Sequence, residues 1–405
     1  MKTITSIVPL PLLFLALCNC VENGRLPTDP RYNTPPIIGI TPDAGVAMIY
    51  ESARIPVLAA DPAGDTLSYQ YTILSGGGTI SGWGSNAHYL PASVGIKQIE
   101  VSVSDTGGYT MKQTIPIDVF DPTSWTRTTA GAVFPPRIYH ASVVFDNKMW
   151  VIGGWSGENT NDVYYSSDGV TWTQATAAAA FSARVLHTSV VFNNKMWIIA
   201  GNDNAPTNDV YYSSDGITWT QATAAAAFPA RNSHTSVVFN NKMWVIGGSD
   251  AGGNPTNDVH YSIDGVSWTQ ATAIAAFPAR VQHTSVVFHG KMWVIGGSDA
   301  GVPKNDVYYS SDGVTWIQAT AAAAFSARSL HASATFNNRM WLIGGFDIAA
   351  KNDVYYSSDG ITWTLATASA NFLPRYEHTP LIFNNKVWLI AGRVFGNTND
   401  VWRCE

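Results

Sequence analysis

The sequence predicts an all-β protein, a six-bladed β-propeller closed by an N-terminal strand and preceded by a small β-sandwich, on three observations. A unit of nearly fixed wording repeats through the C-terminal two thirds, and its histidine recurs at His140, His187, His234, His283, His331 and His378, at intervals of 47 to 49 residues. Each unit holds four short apolar runs, which at that period is the pattern of a propeller blade and not of a helical solenoid. The last unit stops after its third run, and a match to the fourth stands ahead of the first unit.

From the N-terminus, residues 1–20 carry Lys2 and then an apolar run from Ile4 to Leu17. That run is too short to cross a bilayer and reads as a secretory signal, so an exported chain is expected. Residues 21–36, VENGRLPTDPRYNTPP, have the proline and polar content of a tether. Over 37–121 the text changes to short alternating runs such as Leu67-Ser-Tyr-Gln-Tyr-Thr-Ile73 and Ile99-Glu-Val-Ser-Val103, separated by Gly and Asp turns. About seven such strands predict an immunoglobulin-like (Ig-like) sandwich.

The propeller is expected over 122–405. In its third unit the four runs predict strands a (236–239), b (242–247), c (258–262) and d (267–271). The a–b connection is two residues long: Asp146-Asn147, Asn193-Asn194, Asn240-Asn241, His289-Gly290, Asn337-Asn338 and Asn384-Asn385. These residue types tolerate the positive φ that both positions of a type I′ hairpin require. The c–d connection carries Asp-Gly, as in Asp168-Gly169 and Asp215-Gly216, and a second hairpin of the same kind is expected there. Trp125 and the later Phe134-Pro-Pro-Arg137 match Trp172 and Phe181-Ser-Ala-Arg184, so residues 124–129 are expected to supply the strand d that the sixth unit lacks, leaving no open edge.

With these residues in view, the unit resembles the kelch repeat of galactose-oxidase-type propellers: Arg-x-x-His, an apolar strand, Gly-Gly (Ala-Gly at Ala200 and Ala391), Asn-Asp-Val-Tyr, then Trp. The Ser-Ser-Asp-Gly-x-Thr-Trp turn is similar to the Asp-box of sialidase propellers, one residue short. Leu17-Cys18-Asn19-Cys20 resembles a bacterial lipobox, departing from it at Asn19, and implies a lipid on Cys20 and a place in the bacterial cell envelope, on the outer membrane or cell surface, with the membrane reached through that anchor alone. Asp61-Pro-Ala-Gly-Asp65 and Asp105-Thr-Gly resemble turns of PKD and cadherin-like modules. That resemblance implies a possible calcium set of Asp61, Asp65 and Asp105, against the commoner role of Asp in bonding its own turn. Galactose-oxidase copper chemistry would need a cysteine cross-linked to a tyrosine. Cys404, the one cysteine of the repeat region, lies in an end strand, and no metal or other cofactor is expected.

Charged residues make up 13% of the chain and its net charge is −6, which excludes a basic nucleic-acid surface. Near-identical units separate architecture from specificity. Strands a, b and d barely differ, whereas the b–c loop and the two residues between the repeated Arg and His do. In an up-and-down blade both connections emerge on one side, so that loop face is the candidate binding surface. Its candidate ligand residues are Tyr139, Trp155, Glu158, Phe346, Tyr376, Glu377, Arg393 and Phe395, mostly from units five, six and one, which a closed ring makes neighbours. Arg137, Arg184, Arg231, Arg280, Arg328 and Arg375 are a candidate ring at the channel mouth that would attract carboxylates. Against this, Asp162, Asp209, Asp258, Asp306, Asp353 and Asp400 recur at the same count and would neutralise them, pinning blade to blade. The six histidines and the strand-b tryptophans, from Trp150 to Trp388, read as packing residues. Glu158, Asp203, Asp250, Asp299, Asp347 and Glu377 are the carboxylates available for acid or base work.

The expected function is that of a monomeric, surface-tethered binding protein for a glycan or protein ligand. The other class is an exported carbohydrate-active enzyme, such as a sialic acid epimerase or a sialidase-like hydrolase, for which Tyr376-Glu377 supplies a tyrosine beside a glutamate.

Overall fold

A computed structural model of the chain describes residues 34–40 and 46–404, which fall into two units divided between Phe120 and Asp121. The signal, Cys20 and nearly all of the tether lie outside the described residues. The N-terminal unit is all-β. Val46–Met48, Thr110–Phe120, Gly95–Ser104 and Ser68–Ile73 form one sheet in that order, Ala53–Arg54, His88–Leu90 and Thr79–Ser81 a second, and Ile37–Ile40 pairs with Val57–Ala60. The alternation read from the sequence is visible in burial, since Ile99, Val101 and Val103 are enclosed while Glu100 and Ser102 are not. They meet Ile115, Ile117 and Val119 of the next strand, Val57 and Tyr89 from the smaller sheets, and Ile55 from the link between Ala53–Arg54 and Val57–Ala60 in one core.

The second unit consists, among the described residues, of six four-stranded antiparallel sheets. Sheet one is Ala141–Phe145 (strand a), Lys148–Trp155 (b), Asn159–Ser166 (c) and Thr173–Thr176 (d); sheet three is Thr235–Phe239, Lys242–Ser249, Pro255–Ser262 and Thr269–Thr272. Strands b and c are longer than the apolar runs predict because they continue as a polar ladder beyond the Gly-Gly pair, across a bulge between Ile246 and Gly248 in sheet three. Strand a of each sheet lies beside strand a of the next, and the first beside the sixth, so the sheets form a ring as in a propeller. Trp125–Thr129 pairs antiparallel with Asn397–Cys404, Trp125 opposite Cys404, and completes the sixth sheet as expected.

The core sits between neighbouring sheets. Trp244 and Ile246 of sheet three pack with Met292 and Val294 of sheet four, while Met243 and Val245, on the opposite face of the same strand, pack towards sheet two. A strand covered on both faces must be apolar at every position, which is why strand b reads as a continuous run. Each a–b turn has positive φ at both central residues, as in Asn240 (47°) and Asn241 (54°), the expected type I′ geometry.

The c–d connection differs from expectation. Strand c ends at Ser213 and strand d begins at Thr220, so the link is a loop and not a two-residue hairpin. Asp215 Oδ1 accepts from the backbone N–H of Ile217 and Thr218 and from Ser213 Oγ, and Ser213 Oγ accepts from Gly216 N–H, so side chains bind the turn. Gly216, at φ of 75°, is required there by packing as well as by its backbone. A Cβ on it would stand 2.1 Å from the ring of Trp150 in the preceding sheet.

Candidate functional site

The repeated Arg-x-x-His crosses from one sheet to the next. Arg184 donates its backbone N–H to Thr160 O of sheet one and accepts from Gly154 N–H, while its guanidinium reaches into sheet two. There Nη1 and Nη2 donate to the two oxygens of Asp209 at 2.6 and 2.8 Å, and Nη1 donates also to Ala200 O. The same fork joins Arg137 to Asp162, Arg231 to Asp258, Arg280 to Asp306, Arg328 to Asp353 and Arg375 to Asp400. All six arginines have 0% exposure. The neighbouring Asn of each Asn-Asp-Val holds the d–a loop, as Asn208 Nδ2 does by donating to Ala226 O and Phe228 O, and the Val is core.

The histidine that follows faces the ring axis. Nε2 of His140, His234, His283 and His331 shares a hydrogen bond with the threonine hydroxyl of the preceding sheet (Thr379, Thr188, Thr235 and Thr284, 2.9–3.0 Å), and that hydroxyl bonds in turn to a serine one strand position on. Ala141 and Ala332 take the threonine's place in sheets one and five. Without that hydroxyl, His187 Nε2 keeps only Ile152 O, and His378 Nε2 and Ser189 Oγ have no partner among the described residues. Burial pushes the imidazoles of His187, His234, His331 and His378 down to about 3, and the adjacent guanidinium adds to the effect. They are neutral at physiological pH.

Between each Arg and His, the second residue rims an axial cavity of about 280 Å³. These six, Tyr139, Leu186, Ser233, Gln282, Leu330 and Glu377, all adopt left-handed backbone with φ of 53–60°. Leu186, Ser233, Gln282, Leu330 and Glu377 each donate a backbone N–H to the rim residue of the preceding sheet, at 3.0–3.2 Å. No such bond joins Tyr139 N–H to Glu377 O. At that junction the two side chains both line the cavity mouth, where the Tyr139 phenol and the Glu377 carboxyl act on each other electrostatically. Burial raises the phenol, with Glu377 adding to the shift, and raises the carboxyl against the opposing pull of Tyr139 and Arg393. Glu377 Oε2 is buried with no partner.

A family model described as the KLHDC2/KLHL20/DRC7 Kelch-repeats domain matches residues 186–392, half of the chain, and a Kelch motif model matches 136–165. The chain belongs to the kelch-repeat family. The solved structure of YjhT is similar at 14% identity and a TM-score of 0.57, covering 68% of this chain and 95% of that one, a likeness of fold alone. No curated protein matches the sequence.

In this kelch ring the loop face is continuous. The d–a and b–c connections of each sheet bridge each other, Ile138 with Trp155 and Tyr376 with Arg393. Tyr376 packs on Phe346 of sheet five at 5.1 Å between ring centroids. Trp155 is 40% and Phe395 98% exposed, and Glu158 and Arg393 are exposed. Ile348, 94% exposed on sheet five, belongs with them. It is legible in the sequence as the one large aliphatic residue of that loop, though it is neither aromatic nor charged.

Three expectations need correction. Of the two readings of the arginines, the ring at the channel mouth is corrected and the pairing holds: each is buried and matched by its aspartate, because an unpaired guanidinium inside a sheet junction would be prohibitively costly. The tyrosine beside Glu377 is Tyr139, brought round by ring closure, and not its sequence neighbour Tyr376. Three of the loop carboxylates are engaged within the fold: Asp203 accepts from Ser182 Oγ, Asp347 from Ser326 Oγ and Lys351 Nζ, and Asp250 from Gly252 and Asn254 N–H. In the N-terminal unit Asp61, Asp65 and Asp105 do converge, with one oxygen of each within 4.8 Å of the others. Asp61 Oδ1 and Asp105 Oδ1 also accept backbone N–H groups of their own turns.

Proposed function

We propose that this chain is an exported, surface-tethered binding protein, an Ig-like domain carrying a six-bladed kelch-type propeller whose loop face takes a glycan or protein ligand. The observation that carries the reading is the arc of sheets five, six and one. There the architecture is the same as elsewhere in the ring, yet the loop tips hold Ile348, Phe395, Trp155 and the Phe346–Tyr376 pair, while sheets two to four hold mostly Asn, Asp, Ser and Gly. Exposed apolar and aromatic side chains on an otherwise polar rim are of the kinds that dominate binding energy, each worth about 2 kcal/mol at a well-packed centre. The Leu17-x-x-Cys20 sequence supports a lipid tether that would hold the protein in the bacterial cell envelope, on the outer membrane or cell surface.

The test is a glycan and peptide array probed with the purified protein, followed by replacement of the b–c loops of sheets one, five and six with 202–207 of sheet two. The swapped protein is expected to fold and to bind the array ligand at least tenfold more weakly. Unchanged affinity places the contact elsewhere.

A carbohydrate-active enzyme is the second reading, and the Tyr139–Glu377 pair at the cavity mouth favours it. Turnover of a bound glycan that Tyr139→Phe abolishes, with binding kept, would establish that class.

A further inference from the structure

The cavity wall is chemically uneven. Its hydroxyls, imidazoles and small apolar side chains are neutral, and Glu377 is the one carboxylate among the residues that line it. Glu377 is 9% exposed, it lies where the rim's backbone bonding is interrupted, and its Oε2 has no donor within the protein. Arg393 does not fill the gap. Its side chain is exposed and makes no ion pair among the described residues, although its charge is felt at Glu377. A buried carboxylate oxygen left bare is costly, and a donor arriving from outside recovers that cost.

We propose that the mouth of the axial cavity, at the junction of sheets six and one, is a binding subsite for a primary ammonium group received by Glu377 Oε2. It rests on the reading of the loop face as the ligand-binding face and adds the chemistry of one contact. A cation is favoured over a neutral hydroxyl because the hydrogen bond is then charge-assisted and the buried negative charge is neutralised. The surroundings suit an ammonium on an apolar stem. Tyr139, an aromatic residue of the kind that attracts cations, lines the cavity with Glu377, and Leu330 flanks Glu377 on the sheet-five side of the rim. The ligand classes this fits are a lysine side chain, a peptide N-terminus and an amino sugar.

The probe pair is n-hexylamine and 1-hexanol, alike but for the head group, titrated calorimetrically into the full chain at pH 7. Hexylamine is expected to bind at least tenfold more tightly than hexanol, and Glu377→Gln is expected to abolish that preference. Because Glu377 is buried, Arg393→Ala provides an independent arm at an exposed side chain: removal of the nearby positive charge is expected to tighten hexylamine binding threefold or more. Equal binding of the two probes, absence of hexylamine binding, or an amine preference that survives Glu377→Gln overturns the proposal. An array ligand lost on loop replacement but bound unchanged by Glu377→Gln overturns this inference alone. Hexylamine binding that persists after loop replacement, with the array ligand also retained, overturns the wider reading of the face and leaves the ammonium subsite standing.

Discussion

At the residue scale, the near-identical copies make it possible to ask why one side chain is fixed and its neighbour is not. Strand b carries two glycines in four sheets, yet in sheets two and six the first is Ala200 or Ala391, at φ of 53° and 55°. The second is glycine in all six, because a Cβ on Gly248 would stand 2.6 Å from His234 Cβ and 2.7 Å from Asn232 O. Gly248→Ala is therefore expected to destabilise the propeller by about 2 kcal/mol or more, and Gly153→Ala, at the position where the chain itself twice uses alanine, by less than about 1 kcal/mol. Urea denaturation of the two variants beside the parent decides it; equal losses would mean that the His234 contact is not what selects glycine. The same comparison explains the Arg–Asp forks. Each arginine binds the previous sheet with its backbone and its own sheet with its side chain, so replacing it affects a junction and not one blade.

At the element scale, the connections are where sequence and structure part. The a–b hairpins were legible because Asn-Asn and Asp-Asn between apolar strands admit one turn type. The c–d link was misread because Asp-Gly fits both a two-residue hairpin and a side-chain-bound loop, and the deciding contacts, Ser213 Oγ to Gly216 and Trp150 against Gly216, come from a residue three positions away and from another sheet. Asp215→Ala removes acceptors for Ile217 N–H, Thr218 N–H and Ser213 Oγ and is expected to cost about 2 kcal/mol, read as a lowered urea midpoint. A midpoint equal to the parent's would show that backbone and packing alone hold the loop. The candidate site follows the same rule. Which loops vary could be read along the chain, but the Tyr139–Glu377 pair joins the first unit to the last, and no spacing within a unit encodes it.

At the scale of the whole molecule, six buried neutral histidines make the ring sensitive to acid. Their folded pKa values lie below the ordinary 6.5, at about 3 for His187, His234, His331 and His378, so below pH 6.5 the unfolded chain binds more protons than the folded one. Stability is thus expected to fall as pH drops from about 6.5 towards about 3, by about 1.4 kcal/mol per unit for each histidine, and to be flat in this respect above that range. Urea midpoints measured from pH 7.5 to 4.5 check it, and a midpoint that does not move would mean that the imidazoles are hydrated or charged in the fold. Closure is the second whole-molecule property. A chain beginning at Phe134 lacks the strand that covers Asn397–Cys404 and is expected to melt at least about 10 °C below one beginning at Asp121. Equal melting temperatures would mean that the sixth sheet stands without its fourth strand. The seam also imposes an order of events. Thr128 bonds to Val401 O across 273 residues of sequence, so the first propeller strand to leave the ribosome is the last to find its partner. Until Asn397–Cys404 is synthesised that strand stays unpaired, facing a growing series of near-copies of its true neighbour. What marks the right one is the sixth unit's own wording: Trp402 where other sheets have Tyr or His, with Arg127 laid over it, and Cys404 where they have Ser.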